Sequence, residues 1–346
     1  MRAAFLEAPR KIVVREVEKP RPGPAEVLVR VGSCGVCGSD VHLYKEGRIG
    51  DVVVSEPHIL GHEFGGVVEQ AGSPEFEPLV GKKVAVEPAI PCLRCEVCLA
   101  GNQNCCPHIL FCGLPPTPGA YREYLAYPGW LCEPVPEGLT HNQIAALEPL
   151  AIGIHVMDLA RPGLGRSAAI LGAGMIGQMI LETARKFELA PLIVTDRLGY
   201  RLEMAKAAGA TDVVNIDEAD PVQRIMEITH GRGVDYAFEA TNAVEAPGQA
   251  VAVAAHAGKV FLSGINEADQ IVYSNSIARR RGLTIYTVRR SRRTLRRAIR
   301  LLAGGACDVD RAITHEFPLE GLGEAFETMC DYRDGILKPM IRIGES

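Results

Sequence analysis

The sequence predicts an α/β protein of two domains: a doubly wound parallel sheet of six strands, and a β-rich domain that lies on both sides of it in the chain. Three observations carry this expectation. The first 150 residues are rich in Gly and Pro and hold short β-branched runs. From about residue 151 strand and helix patterns alternate, and after about residue 290 short strands and turns resume. A chain of 346 residues is also long for a single core, which favours two domains.

The elements follow in order. Glu26-Val27-Leu28-Val29-Arg30-Val31, Gly66-Val67-Val68-Glu69 and Lys83-Val84-Ala85-Val86 are β-branched runs closed by turn residues, so each reads as a short strand. Near Glu148 the texture changes, and Ala151 to Ala160 reads as a helix. Strands are then expected at Ala168–Leu171, Leu192–Thr195, Asp212–Val214, Asp235–Phe238, Lys259–Leu262 and Leu283–Val288. Helices are expected between them at Met175–Phe187, Tyr200–Ala208, Pro221–Thr229 and Pro247–Ala255. Such alternation covers both faces of a parallel sheet. A helix at about Thr294–Ala303 leads out of it. The domains expected are thus 1–150, rejoined by about 290–346, and 151–289.

Composition excludes several classes. Hydrophobic content of 47% with 23% charged residues is that of an ordinary globular protein, and no run reads as transmembrane. The start meets Glu7 and Pro9 too early for a signal peptide. Eleven cysteines, an odd number in a long chain, favour reduced thiols and metal sites in the cytoplasm over a secreted disulfide framework. A net charge of −5 argues against general affinity for nucleic acid, and no membrane contact is expected. One stretch departs from this balance: residues 279–300 hold ten arginines and no acid. Arg292, Arg296 and Arg300 would share one helix face opposite Leu295, Ile299 and Leu302. That face is either solvated or an anion site, for a phosphorylated substrate or a subunit contact.

Cys92, Cys95 and Cys98 step along the chain in threes, and Cys106 follows eight residues later. Four thiolates gathered in one lobe make the closed tetrahedral environment that a structural zinc ion prefers. Cys105 beside Cys106 leaves the fourth ligand open by one position.

Gly172-Ala173-Gly174-Met175-Ile176-Gly177 follows the apolar run Ala168–Leu171 and opens a helix. In strand-turn-helix context this is the dinucleotide fingerprint of a Rossmann domain. Gly172 permits the turn, Gly174 lets the backbone approach the pyrophosphate, and Gly177 lets the helix pack on the sheet. Asp196 ends the next strand, where an acid binds the ribose hydroxyls and repels a 2′-phosphate. NAD is therefore read over NADP, although Arg197 and Arg201 nearby could pair with such a phosphate. The turn Ser263-Gly264-Ile265 after the fifth strand is also expected to touch the cofactor.

A second metal site is expected from Cys37, His62 and Glu63. All three are zinc ligand types, and two or three protein ligands plus water describe an open, reactive site. Glu148 could complete the sphere or hold the water.

These motifs together resemble the zinc-containing medium-chain alcohol dehydrogenases, nearest the sorbitol (polyol) dehydrogenase branch. The likeness runs through Gly61-His62-Glu63, the cysteine ladder, Glu148-Pro149-Leu150, the glycine motif and Lys338-Pro339-Met340. It implies a GroES-like catalytic domain beside the Rossmann domain, and two zinc ions per chain. It implies Cys37 and His62 as catalytic ligands with Glu63 or Glu148 as the third, and it favours Cys106 over Cys105 in the structural site. Asp40 would orient the histidine ligand. Ser39 and His42 would relay the proton. Glu148 stands where classical alcohol dehydrogenases carry a second cysteine, which points to the polyol branch. Tyr44, Phe111 and Arg290 would line the substrate pocket, with Arg290 also beside the nicotinamide of the cofactor, and a homotetramer or dimer is implied. Arg290-Ser291-Arg292-Arg293 departs from the branch's usual stretch at that point, so sorbitol itself does not follow.

The resulting expectation is hydride transfer between a secondary alcohol of a polyol or sugar derivative and NAD. Threonine or another small alcohol is the alternative on the same scaffold. A non-catalytic zinc- and dinucleotide-binding protein is the alternative of another class.

Overall fold

The computed structural model describes residues 1–266, 268 and 270–344. The chain divides into two compact units, Met1–Glu148 with Arg292–Ser346, and Pro149–Ser291.

In the first unit the main sheet has seven strands among the described residues. Its path runs Cys132–Pro134, Lys83–Val86, Glu63–Ala71, Glu26–Gly35, Lys338–Arg342 and Ile313–Pro318, with Tyr124–Pro128 also paired to Glu26–Gly35. Glu26–Gly35 is central, and eight of its ten residues are buried, so it is covered on both faces. That cover explains why the strand continues four residues past the expected end at Val31. Val27, Val29, Val31, Phe64, Val84, Tyr121 and Phe326 join one apolar core. The C-terminal strand Lys338–Arg342 lies antiparallel to Glu26–Gly35. The last segment of the chain thus completes the sheet that the first segment began.

In the second unit six parallel strands run in the order Asp212–Asn215, Leu192–Asp196, Ala168–Leu171, Val234–Glu239, Ala254–Leu262 and Thr284–Thr287. Every residue of Ala168–Leu171 and Leu192–Asp196 is buried, as a parallel sheet sandwiched between helices requires. Alternation then sorts the side chains by face. Ala168, Ile170, Leu192 and Val194 pack with Ile180, Leu181 and Ala184 of helix Met175–Ala184. Ala169, Leu171 and Ile193 pack with Ala250, Val251 and Val253 of helix Ala246–Val253. Phe238, Phe261 and Tyr286 stack across three neighbouring strands with ring centroids 5.2 and 5.0 Å apart.

Three local expectations change. Residues 38–46, for which no element was expected, form helix Gly38–Glu46, ended by Gly47 at φ +68°. Asn275–Arg281 is a further helix, and within it Arg281 donates to Ala252 O at 2.7 Å and Ala254 O at 2.6 Å. Arg292 does not share a helix face with Arg296 and Arg300. The helix is Leu295–Ala303, and Arg293 at φ +55° breaks the chain direction before it. Arg292 instead donates to Asn102 Oδ1 at 2.8 Å, and Arg296 to Glu133 Oε1 at 2.7 Å. The stretch 141–160 is long and apolar enough by composition to cross a membrane, but 78% of its most apolar window is buried within the protein.

Candidate active site and metal centres

The site starts where strand Glu26–Gly35 gives way to helix Gly38–Glu46. Cys37 is the N-cap of that helix, and its backbone N–H donates to Asp40 Oδ2 at 3.3 Å. Asp40 is 1% exposed and its Oδ1 stands 3.4 Å from His62 Nδ1. Tyr121 Oη lies 3.1 Å from both Asp40 Oδ2 and Gly35 O. Burial would raise the Asp40 carboxyl, but His62, the Cys37 amide and Tyr121 hold it below its ordinary range. Asp40 thereby fixes the imidazole from one side and leaves Nε2 for a ligand, as metal-binding histidines require. The Phe111 ring covers His62 with centroids 5.0 Å apart.

Glu63 follows His62 at the start of strand Glu63–Ala71, and both of its oxygens accept from Lys338 Nζ, at 2.8 and 2.6 Å. Lys338 Nζ also donates to Val36 O at 2.8 Å, so its three protons are all accounted for. Both side chains of this pair are about 1–2% exposed. Burial would strip a lysine of its proton, but Glu63, with Cys37 adding to it, more than offsets this and keeps the ammonium charged. Glu148 stands by, 7% exposed, its carboxyl pushed up to about 8 by burial. His62 opposes that rise, while Glu63 and Glu87 add to it.

One ligand atom each from Cys37, His62 and Glu63 lies within 4.8 Å of the others. One sulfur, one nitrogen and one carboxylate oxygen converging at that range fit a tetrahedral zinc with its fourth position open. Ser39 and His42 sit one helical turn apart on Gly38–Glu46, both half-buried, and so face the same way.

The cysteine ladder closes a second cluster. Ligand sulfurs of Cys92, Cys95, Cys98 and Cys106 all lie within 4.8 Å of one another, whereas Cys105 is exposed. Backbone amides point at the sulfurs: Cys92 N–H at Cys106 Sγ and Cys98 N–H at Cys95 Sγ, each 3.4 Å. Hydrogen bonds of this kind favour thiolates, and the amide of Arg94 heads the causes that push Cys92 down to about 6. The donor set fits a closed S4 zinc.

In the other unit the glycine turn has a cradle's shape. Gly172 has φ +100°, and a Cβ on Gly177 would lie 1.9 Å from Gly172 O. Above Gly174 the nearest atom to such a Cβ is Arg201 Nη1 at 3.8 Å, so the backbone is open to approach. Met175 and Ile176 begin the helix whose N-terminus faces that opening. Asp196, 9% exposed, accepts from Ala173 N at 2.8 Å and from Leu198 N at 2.9 Å. These features fit a dinucleotide. Arg197 is turned toward Asp217, 3.7 Å away. Ser263, Gly264 and Ile265 follow strand Ala254–Leu262 at the carboxyl end of the sheet, and Arg290 (φ +52°) follows Thr284–Thr287.

Tyr44 is a correction. It was expected in the substrate pocket but is a core residue, 2% exposed and stacked on Phe326 at 4.6 Å. Its Oη donates to Glu327 at 2.6 Å. Two residues of the site went unread in the sequence. Lys338 carried a signal, a lone cation opening the otherwise apolar run Lys338–Ile341. Tyr121 carried none.

The chain is similar to known proteins over nearly its whole length. Residues 23–137 match the model of the alcohol dehydrogenase GroES-like domain, and residues 176–304 match that of the zinc-binding dehydrogenases. A sorbitol dehydrogenase of Bacillus subtilis (strain 168) is 35% identical over 341 residues, covering 99% of this chain and 97% of that protein. An L-idonate 5-dehydrogenase of Vitis vinifera is 33% identical, covering 94% of this chain and 90% of that one. Among solved structures, one described as a short chain alcohol dehydrogenase of Escherichia coli CFT073, in complex with NADH, superposes with a TM-score of 0.91. It is 26% identical and covers 99% of both chains.

Proposed function

The chain belongs to the zinc-containing medium-chain alcohol dehydrogenases, in their sorbitol dehydrogenase-like branch, and on that premise we propose that it oxidises a secondary hydroxyl of a polyol or sugar derivative and passes the hydride to NAD. The observation that carries this reading is the convergence of Cys37, His62 and Glu63 beside buried Glu148, in a chain that also folds an open glycine turn. Those three residues would hold the catalytic zinc, and the four ladder cysteines would hold a second, structural one.

Zinc held there supplies the Lewis acidity that makes an alcohol hydroxyl acidic near neutral pH. The dinucleotide supplies the hydride acceptor. The chain's own groups do the rest. Asp40 keeps the His62 ring in place, and Lys338 keeps Glu63 in place. A Glu148 carboxyl pushed up to about 8 is suited to take a proton near neutral pH and to release it. Ser39 Oγ and the His42 imidazole, one turn apart, carry the proton outward. Asp196 accepts the ribose hydroxyls and disfavours a 2′-phosphate, which supports NAD over NADP.

The chain works as a homotetramer or dimer. Leu93, Leu99 and Leu110 on the metal lobe, 46%, 75% and 45% exposed, support a subunit contact there. Its free cysteines support a reducing compartment, the cytoplasm.

Cys37→Ser tests the reading. Turnover on polyols is expected to fall by roughly a thousandfold or more while NADH affinity, measured by fluorescence titration, stays within about twofold. Undiminished turnover would remove Cys37 from the chemistry.

A further inference from the structure

One buried carboxylate in the second unit has no part in the chemistry above. Glu239 ends strand Val234–Glu239 and is 2% exposed. Its Oε1 accepts from Thr241 N at 2.6 Å, and its Oε2 accepts from Gly264 N at 3.1 Å. The first amide belongs to the loop after its own strand. The second belongs to the loop after the neighbouring strand, Ala254–Leu262. The two loops are pressed together. A Cβ on Gly264 would lie 1.8 Å from Thr241 O and 2.4 Å from Glu239 Oε1. Thr241 and Ala240 in turn press on the glycine turn: a Cβ on Gly172 would meet Thr241 Cγ2 at 2.6 Å and Ala240 O at 2.7 Å. One carboxylate therefore ties two strand-end loops together, and the first of them packs against the glycine turn. Beside it the Ser263 hydroxyl is buried and has no hydrogen-bond partner among the described residues.

The sheet order says which part of the ligand these loops meet. Ala168–Leu171 lies between Leu192–Asp196 and Val234–Glu239, so the strand order reverses there, and a dinucleotide spans the crevice at the carboxyl ends. Asp196 stands on the Leu192–Asp196 side and takes the adenosine half. The loops held by Glu239 stand on the opposite side, where the nicotinamide half must lie.

We propose that Glu239 is the positioning residue for the nicotinamide half of the cofactor, spacing the loops at Thr241 and Gly264 that meet that half. The geometry also explains why a carboxylate is needed. Both oxygens accept from backbone N–H groups, so glutamine can satisfy only one and turns an NH2 toward the other. Aspartate is a methylene too short to span both.

The test is binding by the intact protein of two probes, NADH and 5′-AMP, which share the adenosine half only. For Glu239→Gln, NADH is expected to weaken roughly tenfold or more, as one buried amide loses its acceptor. AMP should stay within about twofold, with the melting temperature lowered by no more than several degrees. Gly264→Ala, which forces the same two loops apart from the other side, should give the same split. It serves if the glutamate variant does not fold. Equal weakening of both probes, or unchanged NADH affinity in both variants, would overturn the proposal.

Discussion

Lys338 and Glu63 form the most demanding contact in the first unit, because both are charged and almost wholly buried. Removing one partner of such a pair leaves the other charge uncompensated. Lys338→Met is expected to cost about 3–5 kcal/mol in the metal-stripped protein, read by denaturant unfolding, and less in the zinc-loaded one. A cost below about 1 kcal/mol would show the pair to be dispensable. Asp235 shows the same logic near the surface. It accepts from Ser167 Oγ at 2.8 Å and Arg232 Nη2 at 2.6 Å. Burial works against its charge, but these partners hold its carboxyl below the ordinary carboxylate range. A depressed native pKa gives stability that is present above the unfolded value, about 3.9, and is lost as pH falls toward the native value. Asp235→Asn should therefore cost about 1–2 kcal/mol at neutral pH and progressively less below pH of about 4. A pH-independent difference would contradict this. At this scale the sequence showed donor types but not pairings. Cys37, His62 and Glu63 were legible because their chemistry is specific. Tyr44 was misplaced because an aromatic near a ligand can face either the pocket or the core, and only packing on Phe326 decides it.

Helix Gly38–Glu46 does more than connect strands: its N-cap is Cys37, and its first turn supplies Asp40. It escaped the sequence reading because its apolar residues do not form a clear stripe, so tertiary packing rather than pattern makes it a helix. The strands of the parallel sheet were legible for the opposite reason. Residues buried on both faces read as continuous apolar runs, and the glycine turn fixes where the first one ends. The cysteine lobe was legible because metal spacing is local. It is built from a four-residue helix, Glu96–Leu99, and irregular chain, too little to stand without its ion. Cys92→Ser is expected to lose one zinc per chain and lower Tm by about 5–10 °C, while kcat at low temperature is largely kept. A loss of kcat with Tm unchanged would reverse the roles of the two metal sites.

For the whole molecule, one domain interrupts another. Strand Lys338–Arg342 returns to the sheet begun by Glu26–Gly35, and with it comes the ammonium that holds Glu63. The site of the first unit is thus incomplete until the end of the chain has folded back, a long-range dependence that no local pattern reveals. The central claim is that one chain carries a reactive zinc, a structural zinc and a working dinucleotide site. The most direct measurement is zinc content on the purified protein, taken together with NADH formation on a panel of polyols and sugar derivatives with NAD. The expected result is two zinc ions per chain, one for each cluster, and steady NADH formation on at least one polyol. One zinc per chain with no turnover on any alcohol would contradict the account.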